Sequence, residues 1–276
     1  HLVHYDAQGV EIERINPFST DTRNTVTVEG KTLLLPAEFA KRRTNRGMES
    51  LTITPDQTTL VGLMESSMDN PDKQGRKSTL TRLVTVNLVT GKIAQYLCRL
   101  EAVNHVNSAL AAISEQQFYV AEHDREFPWQ QPSAKKLIYK IDLAKATNIN
   151  DFEGVIENAE KSHLSATLTQ DEQLGLLING VTLEQLIAED EKNWQLLAKL
   201  GIHPVEKTLA VDVLATIDYP HDKLEGVWLR QDGSIGLLND DDFAMNDSDK
   251  GVEHKYLDAE KTVIDGNRLY VVVPEV

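Results

Sequence analysis

A strand–turn–strand unit that opens near an acidic residue recurs along this chain, and it constrains the fold more than any other feature. In the first copy, Glu49 precedes an alternating strand and lies seven residues before the turn residue Asp56. Glu225 and Asp232 repeat this spacing late in the chain. A further copy opens at Asn107, where an amide replaces the acid. Paired strands joined by Asp-containing turns are typical of β-hairpins.

The copies are regularly spaced. Their openings at 49, 107 and 225 are separated by 58 and 118 residues, which corresponds to one period and to two. A fourth opening is therefore expected near 166, although residues 166–179 match the pattern poorly. Strand pairs that repeat at this period are typical of blade or solenoid arrays. The sequence predicts an all-β protein with β-propeller architecture.

One segment departs from the repeat. Residues 144–204 lack the strand pattern, and Thr182 and Gln185 form a potential capping box before apolar residues at helical spacing. We therefore expect a helical insertion around 182–200 that packs its apolar face on the propeller. The strand at 208–214 is expected to lead from this insertion into the last repeat.

The whole chain, 1–276, is predicted to form a single domain. Residues 2–14 contain two strand patterns joined by a turn, as in the outer hairpin of a blade whose inner strands are missing. The first blade is therefore expected to be incomplete within this sequence.

The charge distribution restricts the partners. The formal net charge is -15, and residues 218–260 alone contribute -8. A field of this sign repels phosphate backbones and attracts hard cations such as calcium, so nucleic-acid binding is not expected. The longest apolar runs are under ten residues, so no membrane span is expected either.

Two motifs in the first half resemble a known family. The sequence NRGMESL at 45–51 resembles the N-R-G-x-E-G-L motif of the phytase-like family described as "esterase-like activity of phytase", with Ser50 at the second glycine. The sequence EHD at 122–124 resembles the family's E-R-D/S element, with His123 in place of the arginine.

The second half carries two more elements of the same resemblance. KLEG at 223–226 matches a family element, and NDDDFA at 239–244 is similar to N-D-N-D-F-G with Asp241 and Ala244 substituted. The resemblance implies a β-propeller in which further blades precede residue 1. It also implies a hydrolase of phosphate or carboxylic esters that acts on a small molecule. A non-enzymatic secreted or periplasmic propeller that binds a ligand or a partner protein is the alternative, and the oligomeric state is open.

Equivalent positions of successive blades are expected to converge at one end of the channel. The repeat aligns Glu49 with Glu225, and it aligns Glu65 with Glu122 and Asp240. Clustered carboxylates repel and raise one another's pKa, so arginine, lysine or a metal should compensate them. A structural role, in which Glu49 and Glu225 hold the next blade through backbone amides, is equally open.

These arguments define three predicted groups of site residues. The predicted catalytic residues are Glu49, Glu122, His123, Glu225 and Asp240. The predicted substrate-binding residues are Arg46, Arg125, His221 and Lys223. The predicted metal ligands are Glu49, Glu225, Asn239, Asp240 and Asp242. Because oxygen donors dominate the last group, calcium is the expected ion. An extracellular or periplasmic location is expected.

Overall fold

The computed structural model describes residues 1–156, 165–248 and 251–274. Over these residues the protein is mostly β, as predicted. The predicted N-terminal hairpin is present as the antiparallel strands β1 (Leu2–Tyr5) and β2 (Glu11–Ile15). A second small hairpin follows, formed by β3 (Thr27–Val28) and β4 (Lys31–Thr32). A short 3-10 helix, Ala37–Lys41, leads to the first repeat.

The first sheet is a four-stranded antiparallel meander. Its strands are β5 (Ser50–Ile53), β6 (Thr59–Leu63), β7 (Leu80–Asn87) and β8 (Ile93–Arg99). The turn between β5 and β6 forms because the Asp56 carboxylate accepts hydrogen bonds from the Thr54 hydroxyl at 2.6 Å and from the Thr58 amide at 3.1 Å. The predicted strand–turn–strand unit is thereby confirmed at its first copy.

The second sheet begins with the strands β9 (Val106–Ala112), β10 (Gln117–His123) and β11 (Lys136–Asp142). The chain then leaves this sheet for an insertion that contains four more strands, β12 (Gly154–Ile156), β13 (Ala166–Asp171), β14 (Gly175–Ile178) and β15 (Val181–Thr182). These four strands form an insertion sheet of their own. The insertion is therefore more than the predicted helix.

The predicted capping box starts a helix at the expected place. The Thr182 hydroxyl accepts a hydrogen bond from the Gln185 amide at 3.3 Å, and α1 (Leu183–Glu189) follows. A second helix, α2 (Asn193–Lys199), comes after an extended residue at Asp190, so the segment is two short helices and not one. Their apolar residues pack with those of the insertion sheet against β7 and β8.

After the insertion the chain returns to the second sheet. Strand β16 (Glu206–Asp212) pairs antiparallel with β11 as its fourth strand, and a short helix, α3 (Val213–Thr216), follows. This strand precedes the last repeat in the chain, as expected, and it completes the second sheet. The 118-residue step is one repeat plus an insertion, because the hairpin near 166 belongs to the insertion sheet.

The third sheet closes the described chain. It contains β17 (Gly226–Leu229), β18 (Ile235–Leu238) and β21 (Leu269–Val272). Between β18 and β21 the chain forms a separate hairpin of β19 (Met245–Ser248) and β20 (Gly251–His254). The last strand, β21, pairs antiparallel with β18.

The three sheets pack face to face in sequence order. Strand β9 lies beside β5 on one side and beside β17 on the other. Leu63, Phe118 and Val120 belong to the core between the first two sheets, and Ala121 and Leu237 belong to the core between the second and the third. No sheet closes on itself within the described ranges, so the β-propeller remains a prediction.

Candidate functional site

The polar residues at repeat-equivalent positions lie at one end of the three sheets. The first strand of each sheet begins where the second strand ends, because the two strands are antiparallel. The Glu65 amide donates to the Gly47 carbonyl at 2.9 Å, and the Asn107 amide donates to the Glu65 carbonyl at 2.8 Å. The Glu225 amide donates to the Leu238 carbonyl at 2.9 Å. Loops from different sheets therefore meet at this end.

A buried carboxyl group forms the centre of the first cluster. Glu65 is 1% exposed, and its Oε1 atom lies 2.6 Å from Nη2 of Arg125 and 3.2 Å from Nη1 of Arg46. Arg46 comes from the loop before β5, and Arg125 comes from the loop after β10. The other oxygen, Oε2, is buried and accepts no hydrogen bond from an N–H or hydroxyl group. We call Glu65, Glu49, Arg46 and Arg125 the arginine–glutamate cluster.

The protonation of Glu65 follows from this environment. Burial removes water from the carboxylate, and the neighbouring Glu49 carboxyl disfavours a second negative charge. Arg46 and Arg125 oppose both effects, but together burial and Glu49 raise the pKa of Glu65 to about 7. Glu65 can therefore gain or lose a proton near neutral pH, which is what general acid–base chemistry requires.

A histidine and a carboxylate meet between the second and third sheets. His123 is fully buried, and its Nδ1 atom contacts the carbonyl oxygen of Asp124, which can only accept a hydrogen bond. Nδ1 therefore carries a proton. The Nε2 atom has no hydrogen-bond partner and lies 3.7 Å from Oε1 of Glu225. In a neutral His123 this Nε2 lone pair is free to accept a proton.

A third cluster lies in the loop after β18, where lysines cross-link the aspartates. Lys223 Nζ lies 3.2 Å from Oδ2 of Asp240 and also donates to Asp242. Lys255 Nζ lies 2.9 Å from Oδ2 of Asp242 and 2.8 Å from Oδ2 of Asp222. Asp240 and Asp242, two of the five predicted calcium ligands, thus have ammonium partners.

Comparison with known proteins identifies the family. The family model "Phytase-like: Esterase-like activity of phytase" matches residues 1–243 of the 276. The chain belongs to the phytase-like family. No match was found among curated proteins or among solved structures. Membership indicates a hydrolase-like function, and the roles of individual residues have to be argued from the geometry of the site.

Glu122 of this phytase-like chain is buried and fully paired. Its Oε1 atom accepts from the Glu101 amide at 2.8 Å and contacts His105 Nδ1 at 2.9 Å, and its Oε2 atom accepts from Lys207 Nζ at 2.5 Å. Burial alone would raise the pKa of Glu122, but the bonds from His105 and Lys207 hold it below its ordinary value. Glu122 is therefore ionised and held in place.

His221, which we predicted to bind substrate, lies in the interior of the phytase-like domain. Its Nδ1 atom is 2.6 Å from Oδ1 of Asp265 and its Nε2 atom is 2.8 Å from the Tyr270 hydroxyl. The ring is fully buried, and the Asn239 amide nitrogen lies 3.1 Å from Nδ1. In this structure both ring nitrogens are thus already engaged by protein groups.

The predicted calcium ligands separate into different clusters. Glu49 lies with Glu65, Glu225 lies with His123, and Asn239 accepts a hydrogen bond from the Arg268 amide at 2.7 Å. Among the described residues, no group of three or more His, Cys, Asp and Glu side chains could hold a metal ion. Calcium would have to displace lysine from Asp240 and Asp242, so these residues do not fit a resident ion in this arrangement.

Sequence reasoning aligned Glu65 with Glu122 but did not place it among the catalytic candidates. The repeat could have indicated Glu65, because it predicts that this residue lies at the same strand end as Glu122 and that its side chain points the same way. The pairing residues His105, Lys207 and Asp265 carried no such signal, since each is distant in sequence from its partner.

None of the described helices is long and apolar enough to cross a membrane.

Proposed function

We propose that this chain hydrolyses phosphate or carboxylic esters at the end of the sheets where the arginine–glutamate cluster and the His123–Glu225 pair lie. The observation that carries this proposal is the buried Glu65 carboxyl, whose pKa is raised to about 7 beside two arginines. Acid–base capacity at neutral pH and anion-binding groups then occur together. The family membership supports the same reaction class.

The site residues take different roles in this proposal. Arg46 and Arg125 bind the anionic or polarised oxygen of the ester, because guanidinium groups match carboxylate and phosphate geometry. The Arg125 side chain is 45% exposed, so a solute can reach it. Glu65, when protonated, supplies a proton to the leaving oxygen.

His123 is the proposed general base. The Asp124 carbonyl fixes its tautomer, which leaves Nε2 to accept a proton from the attacking water. Glu225, 3.7 Å away and partly exposed, stabilises the imidazolium that forms. His123 ends β10 and Arg125 lies two residues later in the loop that follows, so the base and the anion-binding group come from one short segment.

Glu122 and the lysine-linked acids take a structural role in this proposal. The pKa of Glu122 is lowered, and its oxygens are already bonded to His105, Lys207 and a backbone amide. Lys223 likewise holds Asp240. We propose calcium only as a ligand that competes with these lysines, and we propose an extracellular or periplasmic location on the family resemblance alone.

We also propose that the three packed sheets are blades of a β-propeller. The support is their sequence-ordered, face-to-face packing, with β9 between β5 and β17. In that architecture the first strands line the channel, and the arginine–glutamate cluster lies at its mouth.

The decisive experiment is a substrate panel of phosphomonoesters and p-nitrophenyl carboxylic esters, assayed with calcium and with chelator. We expect hydrolysis of at least one class, and we expect Glu65→Gln and His123→Gln to lower kcat by about 100-fold or more. Glu206→Gln, an exposed acid paired with Lys145, is the matched control. No hydrolysis by the folded wild type in any condition would reject the proposal. An unchanged melting temperature in millimolar calcium would reject calcium binding.

A further inference from the structure

The region around Glu65 is locally basic in a strongly acidic chain. Arg46 and Arg125 contact its carboxylate, and the charge of Arg43 acts on both Arg46 and Glu65. Three guanidinium groups thus face two carboxyl groups, although the whole chain has a net charge of -15. When Glu65 is protonated, these three guanidinium groups outnumber the one remaining carboxyl group, that of Glu49, by two. Such an excess attracts an anion.

The pairing of Glu65 is incomplete in a specific way. Both arginines converge on Oε1, while Oε2 is buried without an N–H or hydroxyl donor, and the only other group that hydrogen-bonds the Glu65 carboxyl is the like-charged Glu49. A buried carboxylate oxygen without a donor is costly, because water that would solvate it is excluded. A competing anion that takes over the arginines would let Glu65 become neutral, which removes that cost.

We propose that Arg46 and Arg125 form an oxyanion subsite that Glu65 occupies as an internal, displaceable counter-ion. The ligand class is a tetrahedral dianion, such as the phosphoryl group of a substrate or inorganic sulfate. This assignment rests on the proposed function in one respect, since it names the part of an ester substrate that the cluster binds. Binding of the dianion displaces the Glu65 carboxylate from the guanidinium groups, and Glu65 then takes up a proton from solvent.

Dianion binding and the protonation of Glu65 are coupled, so the affinity should depend on pH in one direction. Glu65 competes with the dianion only when it is ionised, so a higher pH strengthens the competitor and weakens binding. The charged groups that face Glu65 are Glu49 on its own sheet, Arg43 and Arg46 from the preceding loop, and Arg125 from the second sheet. All three arginines stay charged through neutral pH, and so the carboxyl pair sets the dependence.

The test is calorimetric titration of the full chain with sodium sulfate, which stays a dianion between pH 6 and pH 8. For the wild type we expect Kd to rise by about tenfold from pH 6 to pH 8, as Glu65 ionises around its raised pKa of about 7. Proton uptake on binding, measured in buffers of different ionisation enthalpy, should approach one proton at pH 8. Glu65→Gln should bind sulfate at pH 8 about tenfold more tightly than the wild type, with no proton uptake.

Arg125→Gln should lower sulfate affinity by at least tenfold, and Arg125→Lys should recover part of it. The control is Arg99→Gln, which changes an exposed arginine paired with Glu191 at 3.0 Å and should leave the sulfate affinity unchanged. Unchanged sulfate binding in Glu65→Gln or in a folded Arg125→Gln overturns the inference, as does a wild type that binds no sulfate. Sulfate binding as expected without ester hydrolysis would reject the proposed function and leave this subsite standing.

Discussion

Glu65 and Glu122 occupy the same position of the repeat but have opposite protonation behaviour. Glu65 lies two residues beyond β6, Glu122 is the next-to-last residue of β10, and both side chains are buried. The pKa of Glu65 is raised to about 7, whereas the pKa of Glu122 is lowered. Equivalent backbone positions therefore do not impose equivalent chemistry.

The difference lies in how completely each carboxylate is paired. Both oxygens of Glu122 accept hydrogen bonds, one of them from the ammonium group of Lys207. Glu65 receives both arginines on one oxygen and has Glu49, a like charge, as a neighbour. A fully paired carboxylate is fixed in its ionised state, whereas a partly paired one can still exchange a proton.

Glu184 in the insertion represents the fully paired limit. Its two oxygens accept from Nε and Nη2 of Arg82 at 2.5 and 2.8 Å, and Asn70 donates to it at 3.0 Å. Arg82 also reaches Glu38 at 3.1 Å, and all of these side chains are buried. This pair ties α1 to β7, so it fastens the insertion to the first sheet.

The largest effect is therefore expected at Glu184. Glu184→Gln leaves the buried Arg82 without its main counter-ion and should lower the free energy of unfolding by about 3–5 kcal/mol. Urea unfolding followed by circular dichroism measures this loss. The exposed Glu206→Gln should change stability by less than about 0.5 kcal/mol. Equal losses in the two variants would contradict the role given to Glu184.

Glu122→Gln should have the next largest effect, about 3 kcal/mol at pH 7, because the ammonium group of Lys207 then keeps only the more exposed Glu101 as an anionic partner, beside the Arg99 carbonyl. The lowered pKa of Glu122 gives this loss a pH dependence. The ionised side chain stabilises the fold above its ordinary pKa of 4.5, and this contribution disappears as the pH falls through the lower folded pKa. Unfolding series at pH 7 and in acid should show wild type and variant converging, and a constant gap would contradict the assignment.

For Glu65→Gln, the stability difference from the wild type should also depend on pH, but the dependence should be smaller than for Glu122→Gln and should have the opposite sign. Because the folded pKa of Glu65 is raised from 4.5 to about 7, the folded state binds the proton more tightly than the unfolded state between these values. The stability of the wild type relative to the variant should then fall by about 1–3 kcal/mol as the pH rises from 4.5 to 7. Parallel stability curves for the wild type and Glu65→Gln would show that Glu65 does not titrate in this window.

The sequence by itself determined the local elements of this protein. Alternating apolar residues, Asp-containing turns and a capping box predicted the hairpins, the start of α1 and the strand ends that carry the polar residues. These signals depend on neighbours within a few residues, so they are readable without the fold. The motifs at 45–51 and 223–226 likewise pointed to the family that the comparison identified.

The tertiary structure decided which repeat positions become chemically active. Arg125 lies 60 residues from Glu65 in sequence, and Lys207 lies 85 residues from Glu122. No local pattern indicates which of these long-range pairs will form. The sequence also did not reveal the topology around the insertion. The insertion separates the paired strands β11 and β16 in the sequence, and its length made the step between two repeats look like two repeat periods. Charge pairing and burial depend on distances in space, and only the packed sheets fix those distances.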